Sequence, residues 1–285
     1  FGEHTVYEQA DFEVRFRLSG QRTNLVIAAS GSPVQEGDWQ VYRLEAARNF
    51  ALSVSDQYEV LEGEAGGVKV YSYAFPFHRQ AGQRVLETTL QALSLYSELF
   101  GDYPREQLSA IEADFLDGME YEGLFFLSEG FYNLHTGLPA DYLSAIAAHE
   151  TAHQWWYARV ANDQALEPWL DEALCTFSEI MFFEEFYPAD AEWWWSYRVD
   201  AYNPQGRVDS SIYETESIRG YINAVYLQGV RFLTELRRTT GDEYFIEALR
   251  NYVHKHTNQI TTTENFLSEF SPYDLSVIKT KYFSE

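Results

Sequence analysis

The sequence predicts an α+β protein in which a β-rich N-terminal part precedes a mainly helical part. Up to about residue 75, apolar and polar residues alternate in short runs separated by Gly, Ser, Pro and Asp. This pattern is typical of antiparallel strands with one face in water. Beyond that point apolar residues recur at helical spacing. We therefore predict a boundary near residues 76–85, between a β part over 1–75 and a second part over 76–285.

The strands predicted in the first part follow from short apolar runs bounded by turn residues. The clearest is FEVRFRL over 12–18, in which apolar and charged residues alternate. Further strand-like runs cover 24–29, 39–44, 50–54 and 68–74, and two shorter pieces cover 108–113 and 123–127.

The first helix is predicted from the spacing of Leu86, Leu90 and Leu93, and Gly101 is placed to end it. The helices predicted after it cover 142–160, 170–187, 190–202, 221–239, 242–255 and 262–270. Thr262 or Thr263 is expected to cap the last one.

Composition restricts the class of protein. The 285 residues include 20 Lys and Arg against 44 Asp and Glu, a formal charge of −24, which argues against nucleic-acid binding. The lone Cys175 excludes an internal disulfide and a Cys-rich zinc framework. No 18-residue apolar run and no signal peptide are present, so we expect a soluble chain of undetermined compartment and oligomeric state. Because the sequence begins at Phe1 and not at Met, we expect a fragment of something longer.

The stretch AAHETAHQWW, over 147–156, has the pattern of a metal site. Residues four apart lie on one face of a helix, so His149 and His153 can direct their imidazoles at one ion. Zinc accepts imidazole nitrogen, and Glu150 is placed as a general base beside metal-bound water. A random chain of this length contains such a pattern roughly once in a hundred. The alternative is an ordinary histidine pair on a surface helix.

A third ligand is expected from the next helix. Glu172 follows His153 with eighteen residues between them, in WLDEAL over 169–174. An antiparallel helix would return that carboxylate to the histidines. Asp171 is the competing ligand, which we interpret instead as a cap or as a partner of a ligand.

These residues resemble the M1 family of zinc aminopeptidases, which is marked by HExxH, eighteen residues and Glu. The resemblance covers nearly the whole chain. It implies that 1–75 is the closing part of an N-terminal β-domain and that 76–285 is a thermolysin-like catalytic domain binding one Zn²⁺. Counterparts of the first half of that β-domain and of a helical C-terminal domain are missing, so we expect an unusually open site.

A second motif of the family, G-x-M-E-N, is similar to Gly118-Met119-Glu120-Tyr121, with Tyr for Asn. The resemblance implies that Gly118, Met119 and Glu120 form a substrate-binding segment in which Glu120 binds the free α-amine. A solvated loop is the alternative for Glu120, and it is our interpretation of Glu122. The following GLFFLS is either an edge strand that pairs with substrate or part of the core.

A third similarity concerns Tyr226 in AVYLQG, which resembles the Y-x-K-G segment of the family. The resemblance implies that its hydroxyl donates to the oxyanion formed on the scissile carbonyl. Tyr221 and Tyr213 are the competing candidates.

The function predicted is that of a zinc metallopeptidase that removes the first residue of peptides with a free N-terminus. Zn²⁺ on His149, His153 and Glu172 would activate water, and Glu150 would act as base and then as acid. Two alternatives remain: a zinc endopeptidase or other hydrolase on the same scaffold, and a zinc-binding domain without catalysis.

Overall fold

The structure is a computed structural model that describes residue 4, residues 6–19 and residues 24–284. The chain packs into two compact units, which are described separately. The β unit comprises Glu8–Ser94 and Tyr103–Gln154. The helical unit comprises Leu95–Asp102, Trp155–Glu285 and the described residues of Phe1–Tyr7.

A three-stranded antiparallel sheet begins the β unit. Its strands, in the order β1-β4-β3, are β1 Ala10–Phe16, β4 Trp39–Ala47 and β3 Pro33–Glu36. The predicted alternation is confirmed on β1, where Phe12 and Val14 are partly buried while Glu13 and Arg15 are exposed. A separate antiparallel pair joins β2 Val26–Ala29 to β5 Leu52–Ser55.

A five-stranded sheet forms the centre of the β unit. Its order is β6 Glu59–Ala65, β7 Val68–Ala74, β8 Gln107–Ala113, β10 Leu124–Ser128 and β9 Gly118–Tyr121. The middle three strands are parallel, and β6 and β9 are antiparallel to their neighbours. Because β10 lies between β8 and β9, the interpretation of GLFFLS as an edge strand is wrong. Its Leu124, Phe125 and Leu127 are core residues with no exposed surface.

Three helices accompany this sheet: α1 Arg79–Phe100, α2 Glu129–Leu134 and α3 Tyr142–Ala152. The structure divides α1 between the two units after Ser94. The prediction of one helix over 142–160 is wrong, since α3 ends at Ala152. Further along, Tyr157 has a φ of 133°, which no residue of a right-handed helix adopts.

The helical unit contains seven α-helices among its described residues, besides the end of α1. They are α4 Trp169–Phe186, α5 Ala191–Trp193, α6 Ile218–Ile222, α7 Gly229–Thr240, α8 Asp242–His256, α9 Thr263–Ser268 and α10 Ser276–Tyr282. Two π-helical turns, Trp194–Val199 and Asn223–Gln228, follow α5 and α6. Strands β11 Ala161–Asn162 and β12 Ile260–Thr261 form a short parallel pair. The expected cap of α9 is Thr262, whose hydroxyl accepts from the Asn265 N–H.

The core of the helical unit is built on aromatic residues. The indole of Trp169 is completely buried and makes edge-to-face contacts with Phe232, Phe266 and Phe283, at centroid distances of 5.6, 5.2 and 5.5 Å. Such pairs stabilise a core beyond the apolar area that they bury. The start of α4 is therefore held firmly in place.

The predicted order of a β-rich region followed by a helical region is confirmed, so the fold is α+β. The boundary near residue 75 stays a prediction, and β7 and β8, which lie on either side of it, pair in one sheet. Among the described helices, none combines the length and apolarity that a bilayer crossing requires.

Candidate active site

Helix α3 places both histidines in the interior of the β unit. Every residue from Leu143 to Ala152 is buried, because small and apolar side chains surround the helix on all sides. The N-terminus of α3 is capped by Asp141, whose Oδ1 accepts the Ser144 N–H at 2.9 Å. Its Oδ2 lies 2.5 Å from His135 Nδ1. The cap fixes where the helix begins and thus which face its later residues present.

The imidazoles of His149 and His153 lie side by side. Their ring centroids are 4.9 Å apart, and one ring nitrogen of each lies within 4.8 Å of the other. The N–H of His153 donates to the His149 carbonyl at 3.3 Å, so the pair is one helical turn apart although α3 ends at Ala152. The side chains are 4% and 1% exposed. Two converging imidazoles in a dry interior fit a divalent metal such as zinc.

Strand β9 packs against α3 at Gly118. A Cβ on Gly118 would lie 2.1 Å from Oε1 and 2.6 Å from Cδ of Glu150. The carboxylate of Glu150 therefore occupies the space that a side chain at residue 118 would fill. Glycine is required here by close approach, because any larger residue would displace the predicted base.

Glu120 lies on the same face of β9 as Gly118, since side chains alternate along a strand. A carboxylate oxygen of Glu120 is within 4.8 Å of a ring nitrogen of His153, and the side chain is 6% exposed. Met119 lies on the opposite face, in register with Phe126 of β10. The β unit thus brings four predicted site residues together: Gly118, Glu120, Glu150 and His153. The expected role of Met119 in binding stays a prediction.

Glu122 is a buried ion-paired residue, so its interpretation as a solvated loop residue is wrong. It is 4% exposed, and its Oε1 accepts from Arg105 Nε at 3.0 Å and also from Nη2. Its Oε2 accepts the Arg48 N–H at 2.7 Å. No signal in the sequence indicated this pairing, because Arg105 is seventeen positions away with no periodic relation to Glu122.

A second group of possible ligands in the β unit comprises His78, Glu112 and Glu129. His78 Nδ1 lies 2.5 Å from Glu112 Oε1, and Glu112 Oε2 accepts the Phe75 N–H at 2.7 Å. Burial raises the pKa of Glu112. Because these bonds tie the start of α1 to the end of β8, we assign the group a structural role.

In the helical unit, Glu172 lies in the first turn of α4 and is 7% exposed. The neighbouring Asp171 is 1% exposed and accepts from Gln164 Nε2 and from the Glu172 N–H, each at 2.9 Å. Burial and then the adjacent charge of Glu172 raise the pKa of Asp171. The bond to the Glu172 N–H is in keeping with our interpretation of Asp171 as a cap.

Tyr226 lies in the π turn Asn223–Gln228, which packs against α4. The ring of Tyr221 meets it edge to face, with centroids 5.7 Å apart. A Cβ on Gly229 would lie 2.3 Å from the Ala173 Cβ, so the backbone after the π turn approaches α4 directly beside Glu172. The helical unit therefore brings Tyr226 and Glu172 onto adjoining helices. Of the competing tyrosines, Tyr221 is buried in the core and Tyr213 is 68% exposed.

Residues 84–280 match the family model described as the peptidase family M1 domain, which is more than half of the chain. The chain belongs to peptidase family M1. Both histidines, Glu150, Glu172, Tyr226 and the Gly118–Tyr121 strand fall within the matched residues.

Several curated members of family M1 are similar over most of the chain. Aminopeptidase M1-D of Oryza sativa subsp. japonica is 23% identical, with 91% of this chain and 32% of the rice protein covered. Probable aminopeptidase 2 of Sulfurisphaera tokodaii is 22% identical, with 90% and 36% covered. Endoplasmic reticulum aminopeptidase 1 of Homo sapiens is 26% identical, with 75% and 24% covered. The chain spans about a third or less of the length of these relatives.

Proposed function

We propose that this chain is a zinc-dependent aminopeptidase with a thermolysin-like catalytic domain, which hydrolyses the first peptide bond of substrates with a free N-terminus. The observation that carries the proposal is the arrangement of β9 on α3. One strand brings the carboxylate of Glu120 within 4.8 Å of a His153 nitrogen and leaves space for Glu150 at Gly118. Membership of family M1 and the names of the relatives support the same activity.

The proposed ligands of one zinc ion are His149, His153 and Glu172. The paired imidazoles support the first two, and the eighteen-residue spacing within family M1 supports the third. When bound, zinc supplies a Lewis acid that polarises the carbonyl and lowers the pKa of water toward ~7.

Glu150 is the proposed general base and acid. Its carboxylate is 5% exposed and is held against Gly118, so it has little freedom to turn away from the histidine face of α3. It accepts a proton from the attacking water and then delivers that proton to the leaving amine. A fixed group that is close to both positions performs both transfers without rearrangement.

Glu120 and Tyr226 are proposed to bind the two ends of the reacting residue. The carboxylate of Glu120 pairs with the substrate ammonium, which fixes the distance from the amine to the bond that is cleaved. The Tyr226 hydroxyl donates a hydrogen bond to the carbonyl oxygen as negative charge develops on it.

The experiment is the Glu150→Gln variant, assayed with an aminoacyl amide. We expect kcat to fall by about 10²–10⁴-fold, because the amide cannot accept the proton from water. Zinc content should stay at one per chain. Glu87→Gln, a change on the exposed surface of α1, is the matched control and should be fully active.

The same assay compares the free aminoacyl amide with its N-acetylated form. An aminopeptidase should hydrolyse only the free form at an appreciable rate, because acetylation removes the charge that Glu120 binds. Equal rates on both forms would indicate an endopeptidase. Zinc binding without turnover of either form would indicate a non-catalytic domain.

A further inference from the structure

The turn between β9 and β10 approaches the rest of the β unit too closely to move freely. Its two central residues are Glu122 and Gly123, and Gly123 has a φ of +76°, which only glycine adopts readily. A Cβ on Gly123 would lie 2.3 Å from the Ser30 carbonyl oxygen. The backbone of the turn therefore presses directly on the strand pair that begins the unit.

One side chain ties this turn to the helix that carries the histidines. The amide of Gln154 is completely buried, and Gln154 directly follows His153. Its Nε2 donates to the Tyr121 carbonyl at 3.0 Å, and its Oε1 accepts the Gly123 N–H at 2.9 Å. Two bonds from one planar amide fix both the distance and the angle between the turn and the end of α3.

The opposite side of the turn is held by Glu122. Its N–H donates to Asn49 Oδ1 at 3.0 Å, and its carboxylate accepts from the Arg48 N–H and the Arg105 guanidinium. Arg105 in turn donates to the carbonyl oxygens of Glu45, at 2.9 Å, and of Ala46, at 3.2 Å. A guanidinium that joins a buried carboxylate to two carbonyls is a rigid connection.

These bonds act on Glu120 because only Tyr121 separates it from the turn. We propose that Gln154 and the Arg105–Glu122 pair are positioning residues, which hold the Glu120 carboxylate at a fixed distance from His153 and thereby set the selectivity for a free amine. This inference rests on the proposed function. It adds a physical origin for the amino-terminal selectivity, which lies outside the groups that touch substrate.

The first test is Gln154→Met, which keeps the length of the side chain and its compatibility with a helix but removes both hydrogen bonds. We expect KM for a free aminoacyl amide to rise about ten- to hundredfold, the scale on which a small misplacement acts. The ratio of rates on free and N-acetylated substrate should fall with it. Zinc should remain at one per chain, and kcat should change less than KM. Gln83→Met, on the exposed face of α1, is the control.

The second test is Arg105→Met, which acts from the other side of the turn. The change in KM should have the same direction as for Gln154→Met. The control is Arg79→Met, because Arg79 forms an exposed ion pair with Glu59 at 2.7 Å in the same unit. A lower melting temperature with unchanged KM and unchanged selectivity, in either variant, would overturn the proposal and leave these residues a structural role only.

Hydrogen exchange separates this proposal from the proposed function. Backbone amides over residues 118–123 should exchange faster in Gln154→Met than in the wild type, while amides of α1 should not change. If the wild type hydrolyses no aminoacyl amide, the proposed function fails and the exchange rates alone decide on the positioning role. Unchanged exchange over 118–123 would refute it.

Discussion

The residues of the candidate site divide into those that carry chemistry and those that make space for it. Gly118 belongs to the second group, since the carboxylate of Glu150 fills the position of its missing side chain. The motif alone indicates Gly118 as part of a binding segment. The packing adds that its small size allows Glu150 to lie between β9 and α3.

Gly118→Ala should therefore act on catalysis through Glu150. A Cβ placed 2.1 Å from a carboxylate oxygen forces Glu150 or β9 to move. We expect kcat to fall by about a hundredfold, as small misplacements of reacting groups do, with zinc content unchanged. Steady-state kinetics with an aminoacyl amide measure this effect.

Gly31→Ala is the control in the same unit, because a Cβ there would meet Leu44 at an ordinary 3.4 Å. Full activity of Gly118→Ala would mean that Glu150 does not need its observed position.

At the scale of residues, the sequence predicts what depends on local spacing. His149, Glu150 and His153 are linked by one helical turn, so their proximity follows from helix geometry alone. The ion pair between Glu122 and Arg105 depends on how a turn meets a distant segment, which no period in the sequence encodes.

Among the elements, α3 is the one whose exact start matters most, because its last turn carries both histidines. Asp141 sets that start through its bond to the Ser144 N–H, and it also accepts from His135. A lost cap frees the first turn and leaves His135 without its acceptor.

We expect Asp141→Ala to lower the free energy of unfolding by about 1–2 kcal/mol, as other lost N-caps do. Urea denaturation followed by circular dichroism measures the change. Asp38→Ala, an exposed substitution in the same unit, should leave the midpoint unchanged. A stability equal to that of the control would show that α3 does not depend on its cap.

Elements with a clean apolar period were predictable, and those at sheet ends were not. β4, β7, α1 and α8 lie close to their predicted bounds, because burial of one face dictates the pattern. β6 reads as turn-like text because it is an end strand whose charged side chains face outward. β9 is four residues long and contains a glycine, so it offers too few residues to show a period.

On the scale of the whole molecule, the dominant property is a formal charge of −24. Such a field raises the local concentration of cations and is screened by salt. A substrate with a free ammonium and no other charge should be attracted by it.

KM for a neutral-side-chain aminoacyl amide should therefore rise severalfold between low salt and ~0.5 M salt, where screening extends over only a few ångströms. KM for an otherwise identical substrate with an acidic side chain should rise less or fall. The two salt series, measured side by side, check this. Identical salt dependence for both substrates would rule out attraction by the net charge.

At this scale the sequence establishes the α+β class and the order of its two regions, because composition and periodicity change along the chain. The pairing of β7 with β8 is not accessible in the same way. It joins residues on either side of α1, and parallel pairing across a helix leaves no local signature.

The π turn at Asn223–Gln228 has a consequence for the length of this segment. Tyr221 and Tyr226 are five positions apart and yet their rings touch, whereas an uninterrupted α-helix stacks residues three or four apart. Inserting or deleting one residue between them would swing the Tyr226 ring by roughly 100° around the axis. The stretch should therefore accept many exchanges of side chain while rejecting any change in the number of residues.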